Sequence, residues 1–194
     1  MRTLSILYDQ LTSPSRAVVG LVEQRPYGLA ILVVALAVIS EVVGKTLVGP
    51  GYMLGGVSFL VLSFVAQFAF VLVSLVVATS IYHFAATNEY VTGHARVLFL
   101  LIAVCFLPYI LLAPLSILAQ ATPQSGPIWF AGAAAIWIWV FGLKVSAVRH
   151  YYAISAGSAF FVVLLPYLII VGLALIAMMF FFSSIAAALQ DFAV

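Results

Sequence analysis

The sequence predicts an all-α fold: a polytopic transmembrane helix bundle of five spans, preceded by a short N-terminal interfacial helix. Three observations carry that prediction. The 194-residue chain is 66% hydrophobic and only 6% charged, more apolar surface than a soluble domain of this size can bury. The apolar residues gather into five stretches, at about 27–48, 53–82, 96–120, 128–148 and 156–189. Each is long enough to cross the hydrocarbon, which takes about 20 residues. The polar stretches between them are short, so the expected organisation is a lead over residues 1–26 and a single five-helix transmembrane domain over 27–194.

Composition also excludes whole classes of function. A formal charge of +2, with no basic run and no aromatic-basic stripe, argues against nucleic acid as a partner. The lone Cys105 has no partner in the chain, which rules out an intrachain disulfide and a cysteine-based metal cluster.

In the lead, Ser13-Pro14 reads as a helix start, serine capping and proline taking the first turn where its missing N–H does no harm. The helix over 15–24 places Ala17, Val18 and Leu21 on one face, with Arg16, Glu23 and Arg25 supplying the polar side, as in a helix lying in the interface. A secretory signal is the rival reading. The polar lead is too long for one, and no small-x-small site follows the apolar run.

The first span is clean until Glu41 and Lys45, four residues apart and so on one helical face. Gly49-Pro50-Gly51 then makes a turn. In the second span Ser63, Gln67 and Ser74 recur at spacings of four and seven, a stripe expected to face other helices because polar groups are costly against lipid. Gly51 and Gly55 form a small-xxx-small pair at its start. Residues 83–96 are the most polar connection.

The third span is the one around which the others are arranged, because Pro108 and Pro114 both fall inside it. Each proline would cost about 3 kcal/mol of helix in water, whereas in a bundle neighbouring helices re-satisfy the freed carbonyls and the helix bends. After a proline-containing turn over 121–127, the fourth span carries Trp129 at its start and Trp137 and Trp139 at mid-depth, and ends on Lys144 and Arg149. His150-Tyr151-Tyr152 reads as an aromatic belt before the fifth span.

Five spans put six of the seven Lys and Arg (Arg2, Arg16, Arg25, Arg96, Lys144 and Arg149) on one side and only Lys45 on the other. The positive-inside rule then places the N-terminus in the cytoplasm and the C-terminus outside. There is also an internal echo. Residues 104–115 align without gaps on 162–173, matching Leu107-Pro108-Tyr109 with Leu165-Pro166-Tyr167. This predicts a two-helix unit, spans two-three and four-five, repeated in parallel with Pro108 over Pro166.

Several stretches together resemble the Yip1-domain family, in particular its small bacterial inner-membrane members. They are Ser-Pro-Ser-Arg at 13–16, Ile-Ser-Glu-Val-Val-Gly-Lys-Thr at 39–46, the His-bearing loop 83–96 before a proline-kinked third span, and Leu-Pro-Tyr at 165–167. The resemblance covers nearly the whole chain through its hydropathy rhythm. It implies five transmembrane helices and a cytoplasmic N-terminus in a bacterial inner membrane. Eukaryotic members are associated with vesicle traffic and small GTPases. The Asp-Leu-Tyr-Gly-Pro type motif of those relatives is absent from this sequence, so no GTPase partner is carried over.

Catalytic chemistry finds no support. Gly-x-Ser-x-Gly and His-Glu-x-x-His are absent, and the five carboxylates are scattered. His83, Glu89 and His94 are too irregularly spaced for a metal site, and no cofactor is called for. Trp137 and Trp139 point to opposite faces of one helix, against an aromatic ligand box. What remains is Glu41 with Lys45, either an ion site or a structural pair in which Lys45 reaches the interface and neutralises Glu41. The reading is a non-enzymatic membrane protein of Yip1 type, a binding or structural subunit whose partners are membrane lipid and other membrane proteins or copies of itself. The alternative is a small transporter or channel using Glu41, Ser63, Gln67 and Ser74. Pro108 and Pro166 complete the set of positions expected to matter.

Overall fold

The computed structural model describes residues 2–48, 56–87, 93–121 and 125–191. The Gly49-Pro50-Gly51 turn, the Gly51–Gly55 pair, Glu89 and positions 122–124 lie outside the described residues. Among those described there are only helices: α1 (Arg2–Thr12), α2 (Pro14–Gln24), α3 (Tyr27–Val48), α4 (Gly56–Ala86), α5 (Ala95–Val104), a 3₁₀ segment (Leu107–Leu111), α6 (Leu112–Gln120), α7 (Ser125–Tyr152) and α8 (Ala156–Asp191). Five spans are long and apolar enough to cross a membrane: α3, α4, α5 through α6, α7 and α8. The chain is a multi-pass, all-α membrane protein.

The third span is the core of the bundle. Seven of the ten residues of α5 are buried, Val97, Leu98 and the run Leu100 to Val104, so this helix is enclosed on all sides rather than along one stripe. α3 presents a narrower face, Ala30, Val34, Val38 and Val42, to the same core. Against that centre α4 contributes Leu75, Thr79, Tyr82 and Ala86, and its other faces point outward.

The bend in the third span is built by two prolines and one serine from elsewhere. Pro108 stands second in the 3₁₀ segment, in its first turn, where its missing N–H is harmless. Pro114 cannot donate to the carbonyl of Ile110, four residues earlier. Ser40 of α3 fills that gap, donating its hydroxyl to Ile110 O at 2.7 Å and accepting from the Ala113 N–H at 2.8 Å. One turn further along α3, Gly44 lets the two backbones meet. A Cβ there would lie 2.8 Å from Ser116 Oγ and 3.2 Å from Leu112 O. Ser40 and Gly44 are therefore a small-xxx-small seat for the bent span, and Trp129 of α7 donates to Ser116 Oγ at 2.9 Å from the opposite side.

The repeated Leu-Pro-Tyr behaves differently in its second copy. Pro166 lies buried within a helix that continues through it, whereas Pro108 sits in 3₁₀ geometry. From Tyr167 to Phe182 nearly every side chain of α8 is exposed, so the second half of this helix leaves the bundle where Pro166 sits.

The lead holds two helices where one was expected. α2 buries the predicted Ala17, Val18 and Leu21. Ser13 makes no capping hydrogen bond; its hydroxyl accepts from Arg16 Nη2 at 3.1 Å instead. The additional helix α1 reaches the core, with Ile6 and Gln10 buried and Gln10 Nε2 donating to Cys105 Sγ at 3.4 Å. At the same end Tyr152 is also buried rather than part of an exposed belt. Its hydroxyl lies 2.6 Å from His83 Nδ1, and Tyr151 OH accepts from the His94 N–H at 2.8 Å. The ends of α4 and α7 and the start of α5 are tied together there.

Candidate functional site

A cavity of about 610 Å³ lies where α8 leaves the bundle, and every one of the five spans contributes to its wall. α3 supplies Glu41 and the bent span supplies Phe106 and Tyr109. α7 supplies Trp137, Phe141 and Lys144, and α8 supplies Tyr167. Phe70 and Val71 of α4 complete it. Phe70, Trp137 and Ile138 are exposed, so the cavity opens sideways between α4 and α7.

The wall is mostly aromatic and aliphatic, with two charged groups set into it. Glu41 is half-buried, its side chain 26% exposed, and accepts from Lys45 Nζ at 2.6 Å. Lys45 is 57% exposed. The carboxylate thus already has a counter-ion, one turn along its own helix. Glu41 also borders a smaller neighbouring space with Gly44, Leu112 and Trp129.

Lys144 is the other charge, and its setting differs. It is 8% exposed and has no ion pair among the described residues. Its Nζ lies 5.0 Å from the centroid of the Phe106 ring and 3.4 Å from Tyr167 OH, the latter too long for a strong hydrogen bond. The ammonium is thus met by one aromatic ring and a distant phenol, with no carboxylate within ion-pair distance among the described residues. The sequence reading put this lysine at the end of the fourth span. α7 in fact runs on to Tyr152, which leaves Lys144 about 12 Å inside the helix end at about 1.5 Å per residue.

The two Leu-Pro-Tyr copies meet at this cavity. Tyr109 and Tyr167 both line it, whereas Pro108 and Pro166 are buried behind them. Phe141 packs between Phe160 and Tyr167, with ring centroids 5.5 and 6.3 Å away, and so holds the Tyr167 ring in the wall. Trp137 and Phe141 of α7 belong to the wall and Trp139 does not; Phe70, Phe106, Tyr109 and Tyr167 come from other helices, which periodicity along α7 alone could not reveal.

The polar stripe of α4 is not part of the site. Ser63 and Gln67 are half-buried and Ser74 is exposed, so the stripe does not face other helices along its length. The cavity meets α4 through Phe70 and Val71 instead. Compared with known protein families, with characterised proteins and with solved structures, the chain matches none of them.

Proposed function

We propose that this protein is a non-enzymatic, membrane-embedded binding subunit of the Yip1 type that holds a guest from the surrounding membrane in the cavity between α4, α7 and α8. The observation that carries this reading is Lys144, an enclosed cation with no ion pair among the described residues, which shares with Glu41 the wall of a space of about 610 Å³. Spaces of roughly 300–1,000 Å³ accept one small molecule. Binding is favoured over transport because Ser63, Gln67 and Ser74 do not join Glu41 along a path. The exposed apolar surfaces of α4 and α8 are where lipid, other membrane proteins or further copies of the chain meet it.

The setting proposed is a bacterial inner membrane, with the N-terminus cytoplasmic and the C-terminus outside. Leaving Lys144 out of the count, five of the six remaining cations still fall on the N-terminal side. Reporter fusions after Thr87, Gln124, Tyr152 and Val194 should read inside, outside, inside and outside. An inside signal at Val194 overturns the topology. The binding role is tested by native mass spectrometry of protein released from its own membrane. A retained adduct of defined mass supports it, and a bare chain under conditions that keep the fold counts against it.

A further inference from the structure

We infer that the guest is a single-chain amphiphile with one negative charge, a long-chain carboxylate, whose head is received by Lys144 and Tyr167 and whose chain leaves between α4 and α7. This rests on the binding reading above and assigns the chemistry of the guest. Charge decides the head group. Of the two ionic groups in the wall, Glu41 is matched by Lys45 at 2.6 Å, whereas Lys144, 8% exposed, has no carboxylate among the described residues. Lys45 stands outside the lining but holds Glu41 in an ion pair, so over these three groups the positive charge left without a partner is that of Lys144, and a single anion cancels it.

Depth and direction fix the rest. Lys144 lies about 8 Å along α7 from the exposed Arg149 and is itself buried, so a guest reaches it through the sideways opening of the cavity. The opening is flanked by Phe70, Trp137 and Ile138, all exposed and all apolar. Trp137 and Ile138 lie one to two turns from Lys144 toward the other end of α7. A guest with its head at Lys144 thus points its chain toward the bilayer middle, the orientation of a lipid in the leaflet on the N-terminal side. The volume of about 610 Å³ holds one drug-sized molecule, which favours one acyl chain over two. Tyr109 and Tyr167 place phenols in the same wall, and such groups can donate to a carboxylate.

The test uses the full chain in discs of zwitterionic phosphatidylcholine, with brominated hexadecanoate, hexadecanol and hexadecylamine as quenchers of tryptophan fluorescence. Non-specific partition into the disc is the same for every variant, so a saturable component reports the cavity. The expected result is saturable quenching by the carboxylate that disappears in Trp137→Phe. Lys144→Met should weaken it by roughly tenfold or more, as loss of a hydrogen bond to a charged group does, and Lys144→Arg should retain it. Saturable quenching that is as strong with the alcohol or the amine, or that is indifferent to Lys144→Met, overturns the anion assignment and leaves the binding role standing. Absence of saturable quenching by all three probes in the wild-type chain overturns both.

Discussion

Replacing Lys144 by methionine keeps an unbranched side chain one atom shorter and removes its charge, and the structure gives opposing terms for the outcome. A lysine costs about 2.5–3.5 kcal/mol at the centre of a span on insertion scales, an upper bound for Lys144, which lies about 8 Å from the middle of α7. The Phe106 ring at 5.0 Å returns part of that, about 2 kcal/mol for a desolvated cation–π contact. The 3.4 Å contact to Tyr167 returns less than the usual hydrogen bond, so about 0.5 kcal/mol. The guest-free variant should therefore be as stable as wild type or more stable by up to about 1 kcal/mol. Unfolding by dodecyl sulfate titration, in which the unfolded lysine is hydrated, measures the difference. With a long-chain carboxylate at one hundred times its dissociation constant, wild type should gain about 2.7 kcal/mol and a variant that binds tenfold more weakly about 1.4 kcal/mol, so their order reverses. A guest-free variant that loses more than about 1 kcal/mol would refute the reasoning, because Lys144 would then be a structural residue whose contacts outweigh its burial.

Three further outcomes follow from the geometry. Ser40→Ala strands the Ile110 carbonyl and the Ala113 N–H; at about 1–3 kcal/mol for each unsatisfied group, it should be among the most damaging small substitutions, and a thermal unfolding midpoint equal to wild type would show that the bend does not need it. Gly44→Ala should cost about 1–3 kcal/mol, because its Cβ would meet Leu112 O at 3.2 Å and backbone cannot rotate away; unchanged unfolding would mean that α3 and α6 separate freely. Lys45→Met alone should destabilise more than Glu41→Leu with Lys45→Met together, since the single change strands a half-buried carboxylate; equal effects in the same dodecyl sulfate assay would mean that the pair is not coupled.

How far these features were legible depends on whether the signal is local. Span limits follow from apolar length, a property of each stretch by itself, and 27–48 coincides with α3. The bend was legible because proline lacks an N–H wherever it stands. Its partner was not, because Ser40 lies 70 residues from Ile110 and nothing in a lone serine says which carbonyl it meets. Lys144 was misread for a similar reason. Near Arg149 it looks like the basic end of a span, and only the continuation of α7 to Tyr152 puts it inside. α1 was missed because its buried positions, Ile6 and Gln10, include a polar residue whose partner is the distant Cys105. The Leu-Pro-Tyr echo pointed to two tyrosines that share a wall, although the two prolines act in different helical geometries. Glu41 was singled out from sequence, and it shares the cavity wall with Lys144, which sequence placed at the end of the span.

An occupied cavity with Lys144 in its wall would be visible in an experimental density map of the protein extracted from its own membrane without lipid exchange. Chain-like density is expected between α4 and α7, with its polar end at about 2.7–2.9 Å from Lys144 Nζ, the distance of a charge-assisted hydrogen bond. A space closed by Phe70 and Trp137 packing inward, with Lys144 turned out of it, would contradict the account.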